Sequence, residues 1–321
     1  MDRINRIASY TASGVFPVKL LQDKLAISEG KILPRHLQLN PTNQCDLNCS
    51  FCSCSDRVKG LELSFDEIKD ILYTFKLFGT VGLTITGGGE PLLHPNINEI
   101  LDLAKKLNIK TGLVTNGLKI DRLKSGYAQW IRVSYSDERD CSDSFLHKLS
   151  NKIIEMPHIN WAFSYVLTRK PQWDKLTTII AFSAKHNFSH ARLVDDILDA
   201  ENVPDISESK QRINGVPGEN LVIYQSRKQF TIGRKRCLIS LLKPSIGADG
   251  KIYPCCGTQY ALENAPRDYA ETMQMGHWKE FINILIEQKH FDGSVCAKCY
   301  YEDYNRLLEL LITKLEHKEF V

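Results

Sequence analysis

The segment NQCDLNCSFC, residues 43–52, carries three cysteines on one short stretch of chain: Cys45, Cys49 and Cys52. It follows an apolar run at 36–40 that predicts a β-strand, so the cysteines are expected on the loop after that strand. Three thiolates at this spacing are typical of an iron–sulfur cluster in which one iron stays open to another ligand. The alternative is a structural zinc site with Cys54 as the fourth ligand, because structural zinc normally takes four protein ligands.

Outward from this loop, short apolar runs alternate with longer amphipathic segments. Six apolar runs predict strands, at 36–40, 81–86, 110–114, 130–134, 161–167 and 189–194. Amphipathic segments predict helices between them, at 64–77, 96–107, 144–156 and 173–186. Alternating strands and helices form right-handed βαβ units and a parallel sheet. The sequence therefore predicts an α/β fold, a partial (β/α)6 TIM-like barrel with a small C-terminal cluster-binding domain, and leaves a flat doubly wound sheet as the alternative.

Local signals divide the chain into four predicted parts. These are an N-terminal extension (1–35), the barrel (36–199), a linker or irregular insertion (200–235), and a cluster-binding domain with a C-terminal helix (236–321). Proline and glycine at four positions suggest the irregular part: Pro204, Gly215, Pro217 and Gly218. Asp249-Gly250 predicts a hairpin turn, and the spacing of Ser64 and Glu67 predicts a helix capping box.

Composition and charge exclude some classes of protein. The 41 Lys and Arg residues nearly balance the 38 Asp and Glu residues, which argues against binding to nucleic acid mainly through charge. No uncharged apolar run approaches the roughly 18 residues of a transmembrane helix, and the first residues lack the apolar stretch of a secretory signal. We therefore predict no membrane partner and a cytoplasmic location, where thiols stay reduced.

Polar residues recur where the predicted strands end. Gly88, Gly89 and Glu90 follow the second strand, Thr115 and Asn116 the third, and Ser134 closes the fourth. Ligand sites of parallel barrels lie at the carboxyl ends of the strands, so these residues are expected at one mouth. Arg192, Asp195 and Asp196 end the sixth strand and are candidates for substrate contacts, with an ordinary charged loop as the alternative.

A second group of cysteines follows the barrel: Cys237, Cys255, Cys296 and Cys299, with Cys256 adjacent to Cys255. Two pairs of thiolates fit either zinc or an iron–sulfur cluster. Two adjacent cysteines rarely both bind one cluster, so Cys256 is an alternative to Cys255 as the ligand.

Taken together, the motifs resemble those of the radical S-adenosylmethionine (SAM) superfamily. The front cysteine triad, with Phe51 before its last member, is similar to the family signature. Gly88-Gly89-Glu90-Pro91 resembles the family's GGEP motif, and Thr115-Asn116-Gly117 resembles its TNG element. The motifs occur in the family's order over about residues 36–195.

The resemblance implies that Cys45, Cys49 and Cys52 hold a [4Fe–4S] cluster whose fourth iron binds SAM. Reductive cleavage of SAM would then give a 5′-deoxyadenosyl radical that abstracts hydrogen from the substrate. The implied cofactor-binding residues are Phe51, Gly88, Gly89, Glu90, Thr115, Asn116 and Ser134. Many relatives carry Asp where Ser136 stands, whereas here Asp137 follows it, so the ribose contact is open.

After such a barrel, the back cysteines resemble the twitch domain, the shortened form of the SPASM extension. This implies an auxiliary [4Fe–4S] cluster bound by Cys237, Cys255, Cys296 and Cys299. A fully ligated cluster would accept an electron from a substrate radical or shape the pocket.

The resemblance thus implies a radical SAM enzyme that oxidises, isomerises or epimerises a small molecule or a peptide. It also implies an external electron donor such as flavodoxin or ferredoxin. Modification of a nucleotide or nucleic-acid base is the alternative substrate class, and a non-catalytic, zinc-stabilised binding protein is the alternative from another class. Cys141 is a candidate hydrogen donor to a product radical, or else a small buried hydrophobe.

Overall fold

The computed structural model describes residues 15–23, 27–28, 30–124, 126–139, 142–263, 269–313 and 316. The strands are β1 (Ile27–Ser28), β2 (Lys31–Ile32), β3 (His36–Leu39), β4 (Gly82–Ile85), β5 (Lys110–Thr115), β6 (Ala128–Ser136), β7 (Asn160–Leu167), β8 (His190–Asp195), β9 (Val222–Gln225), β10 (Ser245–Ile246), β11 (Lys251–Tyr253) and β12 (Gly276–His277). The helices are α1 (Phe16–Gln22), α2 (Phe65–Leu77), α3 (Ile97–Lys106), α4 (Asp143–Glu155), α5 (Trp173–Lys185), α6 (Ile206–Ile213), α7 (Ile239–Leu242), α8 (Thr258–Ala261), α9 (Tyr269–Thr272), α10 (Phe281–Ile286) and α11 (Glu302–Ile312).

A ten-stranded sheet in the order β12-β11-β10-β3-β4-β5-β6-β7-β8-β9 organises the described residues. From β3 to β9 every neighbouring pair is parallel, and each of the six crossovers in this run connects adjacent strands. The predicted fold class is confirmed: this is an α/β chain whose parallel sheet forms a partial TIM-like barrel.

The segment 200–235 differs from the expected linker or irregular insertion. It contains helix α6 and strand β9, and β9 pairs in parallel with β8. The chain-breaking residues mark the ends of these elements and do not interrupt them, since Pro204 precedes α6 while Gly215 and Gly218 form left-handed turns before β9. The βα rhythm therefore continues for one more unit than the apolar runs indicated.

The C-terminal part is joined to the barrel through the sheet. Strand β10 pairs in parallel with β3 and antiparallel with β11, and Gly250 adopts φ +73° at the turn between them. The predicted hairpin is thereby confirmed. Because β10 is hydrogen-bonded to the strand that precedes the front cysteine loop, both cysteine groups are built on one continuous sheet.

Helices cover the outer face of the sheet. The capping box at the start of α2 is confirmed: Glu67 N donates to Ser64 Oγ, and Ser64 N donates to Glu67 Oε2 at 2.9 Å. One face of α2 is fully buried, and its Phe75 ring stacks on Phe281 at a centroid distance of 4.0 Å. In the described part of the chain, no helix combines the length and apolarity needed to cross a membrane.

Candidate active site

The front cysteine loop leaves β3 at its carboxyl end and turns back over the mouth of the barrel. Cys52 N donates to Cys49 O at 3.2 Å, and Ser55 N donates to Cys52 O at 3.0 Å, so the loop folds into consecutive tight turns. Cys45, Cys49 and Cys52 line one pocket of about 300 Å³. No three Cys, His, Asp or Glu side chains of the described residues already converge as ligands of a single ion.

Two arginines contact the thiols of this loop. Arg57 is buried and donates to Asn43 O at 2.9 Å, to Cys54 O at 2.7 Å and to Cys52 Sγ at 3.7 Å. Arg139 Nη2 donates to Cys49 Sγ at 3.8 Å. Positive charge beside a sulfur stabilises the thiolate, which is the form that binds metal.

Hydrogen bonding and burial act in opposite directions on the front thiols. The pKa of Cys52 is lowered to about 6, first by a side-chain hydrogen bond from Cys54 and then by backbone hydrogen bonding and Arg57. Burial raises the pKa of Cys45. The buried Cys54 thiol also contacts Gly87 O at 3.7 Å.

The glycine loop after β4 lies against the chain that enters the cysteine loop. A Cβ at Gly88 would come within 2.0 Å of Asn43 Oδ1, and one at Gly89 within 2.0 Å of Gln44 O. Glu90 N donates to Gln44 O at 2.7 Å. The atoms facing Gly89 are backbone, so close backbone approach requires glycine there, and the contact fixes the start of the cysteine loop relative to the strand ends.

Glu90 joins the ends of β4 and β5. Its Oε1 accepts from Thr115 Oγ1 at 2.6 Å and Leu92 N at 2.9 Å, and its Oε2 accepts from Asn116 N at 2.6 Å. Burial raises the pKa of this carboxyl. Asn116 Nδ2 in turn donates to Asp46 Oδ1 at 2.7 Å, inside the cysteine loop. One hydrogen-bond network thus connects three loops around the pocket.

The remaining wall of the pocket comes from the cysteine loop and from β6. Ser134 lines the pocket and its carbonyl oxygen accepts from Arg139 Nη1. The Arg139 guanidinium also lies 5.9 Å from the centroid of the Phe51 ring. The structure therefore brings all seven predicted cofactor-binding residues to the same pocket as the three cysteines.

The Ser136–Asp137 pair, where the sequence departs from the family pattern, lies beside this wall. Asp137 accepts from Thr168 Oγ1 at 2.8 Å, from Gln172 N at 3.0 Å and from Tyr165 Oη. The Ser136 Oγ is buried and has no hydrogen-bond partner among the described residues. Asp137 is thus engaged in holding the loop after β7.

The back cysteines line a second, enclosed pocket that contains Cys237, Cys255, Cys296 and Cys299. The 231–237 and 291–299 segments pair across it, with Gly233 N donating to Cys296 O at 2.9 Å. A Cβ at Gly233 would lie 2.1 Å from Gly293 O, so a glycine is needed where these segments cross. Burial raises the pKa of Cys237 and of Cys296 to about 12.

Three N–H groups are directed at sulfurs of this second pocket. Gly257 N donates to Cys255 Sγ at 3.3 Å, Tyr301 N to Cys299 Sγ at 3.3 Å, and Asn305 Nδ2 to Cys237 Sγ at 3.9 Å. Hydrogen bonds to the sulfurs are a principal means by which proteins stabilise and tune iron–sulfur clusters. The donor set and the enclosed shape both fit such a cluster.

Cys256 lies on the opposite side of the chain from Cys255. Its Sγ contacts Tyr301 Oη at 3.0 Å and faces a larger cavity of about 710 Å³ inside the barrel. That cavity shares Thr86, Gly87 and Val114 with the front cysteine pocket, so the two spaces adjoin. Cys141, the candidate hydrogen donor, lies outside the described residues.

Sequence reasoning missed the arginines at the front thiols. Arg57 and Arg139 lie in irregular turns, and hydrophobic periodicity does not predict where the side chains of such turns point. The sequence therefore offered no signal that these arginines contact the sulfurs. Arg132 and Arg192 did carry a signal, because both occupy alternate positions of strands whose other face is apolar. Both line the interior cavity.

The front pocket and the strands around it match a known protein family over part of the chain. Residues 39–134 match the Radical SAM superfamily. This stretch contains the front cysteine loop, the glycines after β4 and the Thr115–Asn116 pair, so the chain resembles that superfamily over the first part of its barrel. The match supports the prediction of a [4Fe–4S] cluster with SAM at the front cysteines.

Several named proteins are similar to this chain. A GTP 3′,8-cyclase of Synechocystis sp. is 36% identical over 92 residues, 27% of this chain and 28% of that protein. A PqqA peptide cyclase of Gluconobacter oxydans is 30% identical over 95 residues, 28% of this chain and 26% of that protein. The chain thus matches about a quarter of the length of these relatives.

Among solved structures, SuiB of Streptococcus suis bound to S-adenosylmethionine superposes with a TM-score of 0.55 at 16% identity. The superposition covers 97% of this chain and 83% of SuiB. At this identity the likeness concerns the fold, and it extends through both the barrel and the C-terminal part.

Proposed function

We propose that this protein is a radical SAM enzyme that abstracts hydrogen from a small-molecule or peptide substrate and thereby oxidises, isomerises or epimerises it. The observation that carries the proposal is the placement of two cysteine-lined pockets beside one cavity inside the barrel. We assign residues 36–199 and the strand β9 to the barrel, and residues 236–321 to the auxiliary cluster domain.

Cys45, Cys49 and Cys52 are the proposed ligands of the SAM-binding cluster. In a cubane each thiolate binds a different iron, so the ligands need to line a pocket and do not have to meet at one ion. Arg57 and Arg139 would offset the negative charge of the thiolates through the contacts described above.

When bound together, the cluster and SAM supply the reductive cleavage of a carbon–sulfur bond and, from it, a 5′-deoxyadenosyl radical. The protein's own residues position the reactants. Glu90 fixes Thr115 and Asn116 at the pocket wall, and Gly88 and Gly89 let the two loops approach closely. The polar surface of Thr115, Asn116 and Ser134 is suited to the amino acid and ribose groups of SAM.

Cys237, Cys255, Cys296 and Cys299 are the proposed ligands of the auxiliary cluster. The N–H donors to three of these sulfurs support this assignment over one that uses Cys256, whose thiol contacts Tyr301 on the cavity side. A cluster there would be separated from the cavity by Tyr300 and Tyr301, which line both spaces, and this neighbourhood favours oxidation of a substrate radical by the cluster.

The size of the interior cavity supports a small substrate. About 710 Å³ is within the range of roughly 300–1,000 Å³ that ligand pockets occupy. SuiB has been solved in complex with its precursor peptide SuiA, and the PqqA relative is named a peptide cyclase, which keeps a peptide side chain among the candidates.

The proposal is tested by measuring 5′-deoxyadenosine after anaerobic reconstitution with iron and sulfide and reduction with dithionite in the presence of SAM. The wild-type protein is expected to form 5′-deoxyadenosine, and Cys49→Ala is expected to form none. Ser55→Ala is the matched control, because Ser55 lies on the same loop with an exposed side chain whose hydroxyl donates to Asp56 Oδ1 at 3.4 Å.

Metal analysis of Cys54→Ala distinguishes the zinc alternative. A four-cysteine zinc site would lose its metal in Cys54→Ala as in Cys49→Ala, whereas a three-cysteine cluster would retain its iron. Absence of 5′-deoxyadenosine from wild-type protein that carries its full iron content would refute the proposed activity.

A further inference from the structure

The interior cavity is lined by cationic side chains from several strands and loops. Three of them form what we call the arginine cluster: Arg132 on β6, Arg192 on β8, and Arg227 just after β9. Lys243, after α7, lines the same cavity. All four side chains are half-buried and line this cavity.

The strand register explains why Arg132 and Arg192 share one face. Arg132 pairs with Ala162 of β7, which pairs with His190, and Arg192 lies two residues further along β8. Residues two apart on a strand point to the same side, so both guanidinium groups project into the barrel from strands separated only by β7. Ser164 lies between them on β7.

No carboxylate neutralises the arginine cluster in the described part of the chain. Arg192 donates to Ser164 Oγ at 3.1 Å, and Arg227 lies over the Tyr300 ring at 4.3 Å. The buried Nε of Arg132 has no hydrogen-bond partner among the described residues. None of the ion pairs found in the described residues includes these arginines or Lys243.

Two acidic residues that line this cavity or the adjoining front pocket, Asp23 and Asp195, are engaged with other groups. Asp195 Oδ2 accepts from the backbone N–H of Arg227 and from Ser226 Oγ. Asp23 pairs with Arg35 at 2.7 Å. The cavity wall therefore carries a net positive charge.

Burying this charge opposes protonation of the guanidinium groups. Burial lowers the pKa of Arg132 to about 10 and lowers the pKa of Arg192 well below its ordinary value, and repulsion among the three arginines contributes to both shifts. Charged side chains inside a protein are normally paired with a group of opposite charge, because burying an uncompensated charge costs free energy. A bound anion would supply the missing partner with charge-assisted hydrogen bonds.

We propose that the arginine cluster binds an anionic group of the substrate, a carboxylate or a phosphate, and so holds the substrate in the cavity beside the SAM pocket. That the anion belongs to the substrate rests on the proposed function, whereas the binding of an anion at the arginine cluster does not. Arginine suits both groups, since its planar fork donates two parallel hydrogen bonds to either.

The test is isothermal titration calorimetry of the reconstituted protein with glutarate, a dicarboxylate, and with glycerol 3-phosphate, a phosphate monoester. Constant ionic strength keeps screening equal between titrations. Wild-type protein is expected to bind at least one probe, and the tighter probe identifies the group that the cluster prefers. Arg132→Gln and Arg192→Gln are each expected to raise the Kd by about tenfold or more.

Two further variants keep the test decisive. Arg306→Gln, on the exposed side of α11, removes a positive charge outside the cavity and is expected to leave the Kd unchanged. Arg192→Lys retains the charge but lacks the planar fork, so its Kd for the probe is expected to lie between those of the wild type and Arg192→Gln. If the Gln variants fail to fold, the Kd of Arg192→Lys tests the inference in their place.

Failure of both probes to bind wild-type protein would overturn the inference, as would equal affinity in the arginine variants and the wild type. Competition between SAM and the probe would also overturn it, because the cluster would then serve the carboxylate of SAM. The proposed activity fails separately: wild-type protein that binds the probe but forms no 5′-deoxyadenosine would refute the activity and leave the anion site standing.

Discussion

The close contact between the glycine loop and the entry to the cysteine loop makes Gly89→Ala a sharp test of the site's architecture. A Cβ at Gly89 would lie 2.0 Å from Gln44 O and 2.5 Å from Asn43 C, both of which are backbone atoms. Carbon atoms pack at about 3.5–4 Å, so one loop would have to move by more than about 1 Å. That shift would break the bonds from Gly89 N to Thr42 O and from Glu90 N to Gln44 O.

The size of the effect follows from these contacts. Each lost backbone hydrogen bond costs about 0.5–1.5 kcal/mol, and the overpacking adds about 1–3 kcal/mol. The free energy of unfolding should therefore fall by about 2–6 kcal/mol in all. At roughly 2 °C per kcal/mol for a chain of this size, the midpoint of thermal unfolding should drop by about 4–12 °C.

Thermal unfolding of the apoprotein, followed by circular dichroism, measures this effect. Gly82→Ala is the matched control, because its Cβ would meet neighbouring atoms no closer than 3.8 Å and should change the free energy of unfolding by about 0.5 kcal/mol or less. After reconstitution, Gly89→Ala should also retain less iron than Gly82→Ala. Equal melting temperatures and equal iron contents for the two variants would refute the argument.

Three other predictions concern single side chains. Cys255→Ser should lose the iron of the auxiliary cluster while Cys256→Ser retains it, and the reverse result in iron analysis would exchange the two assignments. Asn305 Oδ1 accepts from the buried backbone N–H of Ile239 at 2.8 Å. Asn305→Leu leaves that N–H without an acceptor, so the free energy of unfolding should fall by about 1–3 kcal/mol in thermal unfolding; an unchanged free energy would contradict that role. Burial, with smaller contributions from two lysines, lowers the pKa of His36 to about 3 from an ordinary 6.5. The unfolded chain then binds more protons between these values, so stability is lost as pH falls through them. His36→Gln should make that decline shallower in denaturant titrations of the apoprotein, and an identical decline would contradict the cause.

The sequence allowed the barrel to be predicted because each of its units carries a local signal. Apolar runs and amphipathic segments located the first six parallel strands and the intervening helices to within a few residues. The capping box at Ser64 and the turn at Gly250 were predicted for the same reason, since both depend on neighbouring residues. The seventh parallel strand was missed because glycines next to it resemble those of an irregular loop.

Features that depend on distant contacts were less accessible. The sequence could not decide between Cys255 and Cys256, because the direction of each thiol depends on how the chain turns after β11. The arrangement of Arg132 and Arg192 across β7 depends on strand register, which no local pattern specifies. Their charges were visible, but the absence of a carboxylate partner in the described residues required the packed structure.

The most direct test of the central claim is the iron, labile sulfide and zinc content of the protein after anaerobic reconstitution. Two [4Fe–4S] clusters predict about eight irons and eight sulfides per chain, without zinc. About four irons with one zinc would retain the SAM-binding cluster and contradict the auxiliary one. Zinc without iron, under conditions that allow clusters to assemble, would contradict the enzymatic account as a whole.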